Sequence, residues 1–411
     1  MKNRYLPTAL GLYLNYLVHG MGVILISLNM PHLEQQWQTD AAGVSIVISS
    51  LGIGRLVVLF LSGMLSDRFG RKPFIYLGMA CYLLFFFGIL KSQTIAVAYA
   101  FGFLAGIANS FLDSGTYPAL MESFPNSPST ANILIKAFVS AGQFMLPFII
   151  SLLVWSNAWF GWSFIVAAGI MILNAIFLLK RPFPDQDQKK AGKESNVAAA
   201  SESNAQPVAA SRMSRSEILD IACFTLYGYI SMATFYLVSQ WLSQYGQFVA
   251  GMEYASAIKL LSLYTVGSLS CVFITAALVK KTVSSHTLLM LYTFISFIAL
   301  LSVCMWPTPV MVVGFAFVIG FSAAGGVMQL ALTIMAMKFP QAKGKATGIF
   351  YSAGSLATFT IPLITAELSH TGIASIMWFD TGLAAAGFAL ALIIGVRQFA
   401  GAHFAVKSAQ V

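Results

Sequence analysis

Residues 62–73 read SGMLSDRFGRKP and place Asp67, Arg68, Arg71 and Lys72 within six positions of a chain that is only 9% charged. Long apolar runs flank this turn on both sides. A hydrocarbon layer about 30 Å thick takes ~20 apolar residues as helix to cross. Over runs of that length in lipid, only a helix satisfies the backbone polar groups internally. The charged turn is therefore read as a short loop between two membrane-crossing helices.

Working outward, twelve such runs are found, at 6–30, 42–66, 73–92, 95–121, 130–154, 158–181, 217–246, 254–279, 285–305, 309–337, 346–368 and 373–396. With 58% hydrophobic residues, the chain is not an ordinary soluble domain. The first run is too long for a signal-peptide core and lacks a small-residue cleavage site. Twelve spans put both ends on one side. With the ends inside, nineteen of the 23 Lys and Arg residues fall on the cytoplasmic side, Lys91 and Lys259 fall outside, and Arg55 and Lys136 lie within spans. That asymmetry sets the orientation. It also accounts for the net charge of +9 without a nucleic-acid partner. Cys81, Cys223, Cys271 and Cys304 all sit in apolar runs and read as buried hydrophobes with no disulfide framework.

The segment from Phe183 to Arg215 is polar and aperiodic, and is expected to be a flexible cytoplasmic linker. Ser214 and Glu217 are spaced as a capping box opening span 7. The linker divides the chain into an N-terminal six-helix bundle (1–182), a connector (183–215) and a C-terminal six-helix bundle (216–411). The halves repeat in register: Pro125 matches Pro340, Pro147 matches Pro362, and Gly54 matches Gly267. Two parallel six-helix repeats with a site between them are a transporter plan. The expected fold is an all-α membrane protein of twelve transmembrane helices in two pseudo-symmetric bundles.

Gly63-Met64-Leu65-Ser66-Asp67-Arg68-Phe69-Gly70-Arg71-Lys72 resembles the signature G-x-L-a-D-r-x-G-r-k of the major facilitator superfamily. Gly63 would let span 2 approach a neighbour closely. Gly70 would allow a tight turn, and Pro73 suits the first turn of a helix. Asp67 could face the positive end of another helix. The resemblance implies that this partner is span 11 and that the contact latches the cytoplasmic side while the site faces outward. Arg68, Arg71 and Lys72 could pair with carboxylates and anionic lipid headgroups. Asp67 aligns with Lys280 in the second half, so the latch is expected to be one-sided.

An ionisable residue inside a span is costly unless it is paired or wet, which makes it a functional candidate. Four qualify: His19, Arg55, Asp113 and Lys136, on spans 1, 2, 4 and 5. The resemblance places those spans around a central cavity. From the helix rise, Arg55 and Asp113 lie ~16 Å from the cytoplasmic ends of their spans, and Lys136 ~9 Å. One network of all three is expected. Asp113 and His19 are the candidates to carry a coupling proton. Two fixed positives against one negative favour an anion such as a small hydroxylated carboxylate, gripped by Arg55. Asn15, Asn109, Tyr227, Tyr236, Gln240, Tyr264, Gln329 and Tyr351 are candidate hydrogen-bonding walls.

Glu367, His370 and Asp380 sit near the outer ends of spans 11 and 12 and are candidates for an outer gate, whereas His32 and Glu34 read as solvated loop. "GIGRL" lacks the third glycine and the strand–helix setting of a dinucleotide site. No metal-ligand or nucleophile–base set is found, so no cofactor, metal or enzymatic activity is expected. The leading expectation is a monomeric secondary transporter of a small polar metabolite across the bacterial inner membrane. It would work by alternating access, be driven by protons, and have membrane lipid as its surroundings. A drug-efflux pump and a non-transporting membrane sensor are the competing readings.

Overall fold

A computed structural model describes residues 4–124, 128–184, 215–281, 284–324, 327–339 and 343–408. Among the described residues there are helices and turns and no strands. The first half holds α1 (Leu6–Leu28), α2 (Met30–Trp37), α3 (Ala41–Phe69), α4 (Arg71–Lys91), α5 (Ile95–Ser123), α6 (Pro128–Trp155) and α7 (Trp162–Leu179). The second holds α8 (Arg215–Phe248), α9 (Tyr254–Ala257), α10 (Leu260–Lys281), α11 (Ser285–Met305), α12 (Pro309–Ile319), α13 (Val327–Lys338), α14 (Lys343–Ser369) and α15 (Ile373–Ser408). Eleven helices are long and apolar enough to cross a membrane. The twelfth passage is α12, a π turn at Gly320–Ala324, and α13.

Helix starts follow local chemistry. The Asp40 carboxylate accepts from Gly43 N at 3.0 Å to cap α3, and the Ser284 hydroxyl accepts from Thr287 N at 3.2 Å to cap α11. The chain turns from α3 into α4 on Gly70, whose φ of +104° and ψ of 164° lie where a side chain is strained. Gly70→Ala is therefore expected to destabilise the protein by about 1–3 kcal/mol, read as a lowered unfolding temperature in detergent. An unchanged unfolding temperature would mean that the turn relaxes freely.

The repeat read from sequence has a packing counterpart. A Cβ at Gly54 on α3 would collide with the carbonyl oxygen of Phe103 on α5. One at Gly267 on α10 would collide with that of Phe317 on α12. Spans 2 and 4 of the first half thus touch as spans 8 and 10 of the second do, each through a glycine that lets two backbones meet. Between the halves, α3 packs on α14, α6 on α10, and α1 on α8.

Two expectations are corrected. Residues 32–34 are helical, not solvated loop. In α2 the side chains of Met30, Leu33 and Trp37 face inward, Trp37 Nε1 donates to Ser92 Oγ at 2.8 Å, and His32 stacks on Phe160. Burial pushes the His32 imidazole below its ordinary pKa. Gly63 makes no close approach: a Cβ there would meet nothing within 4 Å. The physical reason is that α3 and α14 touch toward the outer side, at Ser45 and Gly52, and part toward the cytoplasm. The capping residue Ser214 and nearly all of the linker lie outside the described residues, as do Pro125 and Pro340.

Candidate functional site

Arg55 is the midpoint of α3. Its Nη2 donates to Asp113 Oδ2 of α5 at 2.9 Å. The other carboxylate oxygen of Asp113 accepts from Tyr16 OH of α1 at 2.6 Å. Three helices therefore meet at one ion pair. Beside it, His19 Nδ1 lies 2.6 Å from Tyr82 OH, which in turn donates to Asn109 Oδ1. Tyr16 stacks edge-on against both His19 and Tyr117. The helices α1 and α3 that carry Tyr16, His19 and Arg55 pack on α8 and α14 respectively, so this cluster lies beside the second half.

The site is closed on one side. Toward the outer ends, Gln240 Nε2 donates to Val23 O at 3.1 Å and Gln244 Nε2 to Ser27 O at 2.5 Å. Tyr254 OH donates to Leu28 O, and Ser45 Oγ donates to Pro362 O at 2.7 Å. His370 Nδ1 and Asp40 Oδ2 stand 3.5 Å apart across the same mouth. On the other side, Tyr117 faces inward to stack on Tyr16 and is still 36% exposed, and Tyr351 of α14 is 39% exposed. Arg55 itself keeps 32% exposure. Given the orientation set by the basic residues, this is an inward-facing arrangement among the described residues: the contacts between the halves seal the outer side, and Arg55, Tyr117 and Tyr351 are exposed on the cytoplasmic side of that seal.

The remaining sequence candidates fall in different places. Asn15 is fully buried and accepts from Asn174 Nδ2 at 2.7 Å, so it ties α1 to α7 rather than lining the opening. Gln240 joins the outer seal. Lys136 does not join the Arg55–Asp113 pair. Its Nζ donates to Ala324 O of the second half at 3.4 Å. Ala324 is the last residue of the π turn, so Lys136 is held where the regular helical ladder is interrupted. The side chains of Gln329 and Asp67 lie outside the described residues. Of the other motif charges, Arg71 pairs with Glu122 at 3.3 Å, Lys72 Nζ donates to Leu179 O at 2.7 Å at the end of α7, and Arg68 sits over the Phe69 ring. Among the described residues no group of His, Cys, Asp and Glu could hold a metal ion.

Tyr16, Tyr82 and Tyr117 were missed from sequence, because a tyrosine in an apolar helix carries no pattern that separates site from packing. Asp220 was missed too. At the cytoplasmic end of α8 it receives Lys338 Nζ at 2.5 Å and Arg397 Nε at 2.7 Å, tying together α8, α13 and α15. Its signal was a second acid, three residues after Glu217, at the start of a span that begins amid basic loops. Asp220→Ala leaves two cations facing one vacancy. With both partly exposed, we expect a modestly lowered unfolding temperature, measured by thermal unfolding. A neutral result would make the cluster an incidental surface pair.

Comparison with known proteins agrees with this architecture. The family model described as Major Facilitator Superfamily matches residues 12–362. The chain is 68% identical to the inner membrane transport protein YdiM of Escherichia coli (strain K12), covering 97% of this chain and 96% of that one. It is 38% identical to YdiN of the same organism, over 96% of this chain and 91% of the relative. Among solved structures, a D-xylose-proton symporter superposes with a TM-score of 0.77 at 14% identity, covering 95% of this chain and 97% of the other. With twelve membrane passages in two matching halves, a charged cluster at their seam and these relatives along nearly its whole length, the chain belongs to the major facilitator superfamily and is a multi-pass inner-membrane transport protein.

Proposed function

We propose that the protein moves a small hydroxylated carboxylate across the inner membrane, with proton coupling. The observation that carries this reading is the state of Arg55. One nitrogen of its guanidinium donates to Asp113, and the side chain keeps 32% exposure toward the cytoplasmic side. A planar, partly exposed guanidinium suits a carboxylate as its ligand. The phenols of Tyr117 and Tyr351 and the amide of Asn109 supply donors and acceptors for substrate hydroxyls. Asp113, shared between Arg55 and Tyr16, is the group whose pairing an arriving anion would disturb. That competition is a route from substrate binding to proton movement, with His19 alongside.

The test is uptake into proteoliposomes with an imposed pH gradient. The panel contains hydroxylated monocarboxylates, neutral sugars and lipophilic cations. Gradient-dependent uptake of a hydroxylated carboxylate is expected. Movement of lipophilic cations alone would establish the efflux reading in its place.

A further inference from the structure

Asp380 was expected at an outer gate. It is instead 0% exposed, on the second turn of α15, ~10 Å from the outer end of that helix by the helical rise. Neither of its carboxylate oxygens has a hydrogen-bond partner among the described residues. From α8 it is faced by the Thr234 hydroxyl, which is also without a partner. From α10 the Tyr264 phenol faces it, already donating to Phe235 O at 3.2 Å. From α11 the Cys304 thiol faces it, 3.4 Å from Thr381 Oγ1. No charged side chain of the described residues acts on it from any of these elements or from α14. A bare carboxylate in such a place has nothing to offset its lost hydration.

Thr234 is also the link to a cavity. A space of about 30 Å³ lies inside the second half, with Ser231, Thr234, Thr293, Ser296 and Ser322 among its lining residues; the hydroxyls of Ser231, Thr293 and Ser322 donate to carbonyls of their own helices. Ala384, one helical turn from Asp380, forms part of the same wall. Tyr227 bounds it toward the cytoplasm, two turns before Thr234 on α8. Ser322 belongs to the π turn whose last carbonyl, Ala324 O, receives Lys136 from the first half.

We propose that Asp380 is a proton-binding site of the second half, beside the cavity that Thr234 lines. A proton adds to one carboxylate oxygen, with Thr234 as its adjacent hydrogen-bonding group, and no other bond changes. Losing that proton leaves a charge inside the bundle, which favours an arrangement that lets water reach α8 and α15. The proposal deepens the proton-coupled reading and rests on it for its transport consequence only. It adds to the substrate cluster of the first half a separate proton site in the second.

The test is infrared difference spectroscopy of the purified full-length protein across a pH series, with no substrate. A carbonyl band of a buried protonated carboxylic acid is expected at neutral pH. It should vanish in Asp380→Asn, shift in Asp380→Glu and persist in Asp113→Asn. Absence of the band in the wild type, or its survival in Asp380→Asn, overturns the proposal. Should Asp380→Asn fail to fold, the Asp380→Glu shift decides: an unmoved band overturns it. In proteoliposomes, accumulation against a gradient should reach about tenfold per pH unit for one proton per substrate. Asp380→Asn should lose that accumulation while keeping substrate exchange. Accumulation intact in this variant overturns the coupling role of Asp380. Wild-type uptake that ignores the gradient while the band depends on Asp380 overturns proton coupling and leaves the proton site standing.

Discussion

Arg55→Ala is expected to reduce uptake by ~100-fold or more. Two charge-assisted hydrogen bonds to a substrate carboxylate contribute about 1.5–3 kcal/mol each, and their sum corresponds to at least that factor. The same change leaves Asp113 with Tyr16 as its remaining donor of those seen here. Breaking a buried pair from one side costs several kcal/mol. With Arg55 32% exposed, the loss should be smaller, about 1–3 kcal/mol. The two effects separate in the double variant Arg55→Ala, Asp113→Asn. Removing the stranded carboxylate should restore most of the unfolding temperature and none of the uptake. Recovery of uptake in the double variant would reduce Arg55 to a counterion of Asp113 and remove it from the binding site. Arg55→Lys sharpens the reading. A lysine can neutralise Asp113, but it presents a point charge in place of a planar fork. Stability near wild type with weakened uptake is the expected result.

The sequence shows the fold more clearly than the site because the two are written at different lengths. A membrane passage needs ~20 apolar residues and leaves a signal of that size. Only span 10 differs, being assembled from two shorter helices around a π turn that nothing in GFSAAGG announces. Gly54 and Gly267 were readable as a repeated pair since close backbone contact tolerates nothing larger at either. Charges inside spans stand out by rarity, and Arg55 and Asp113 do meet. What they meet with was hidden. Lys136 goes to a backbone carbonyl, an atom every residue possesses, so no side-chain pattern marks its partner. Asp380 shows the limit from the other side. Its distance from the loop was legible, but its burial depends on which face of α15 turns toward α8, and that is a property of the packed bundle.

Gly52→Ala is expected to open the outer side of the transporter. A Cβ at Gly52 would stand 2.5 Å from Phe359 N and 2.6 Å from its Cα, backbone atoms of α14 in the opposite half. Backbone cannot swing aside as a flexible side chain can, so the clash must part the two helices. The helices touch there only while the outer mouth is sealed by contacts such as Ser45 with Pro362 and Thr365. The added methyl therefore penalises one conformation and leaves the other alone. Overpacking of about 1–3 kcal/mol corresponds to a ~5–150-fold shift toward the outward-open state. Spin labels on Gln93→Cys and Glu253→Cys, in outer loops of opposite halves, should report a lengthened distance distribution. Gly54→Ala is the natural control. Its added methyl would strike Phe103 O within the same half, so it strains both conformations alike. It should lower the unfolding temperature without moving the label distances. If Gly52→Ala instead lowered stability and left the distances unchanged, the α3–α14 seam would be a fixed joint, and the halves would have to move about some other contact.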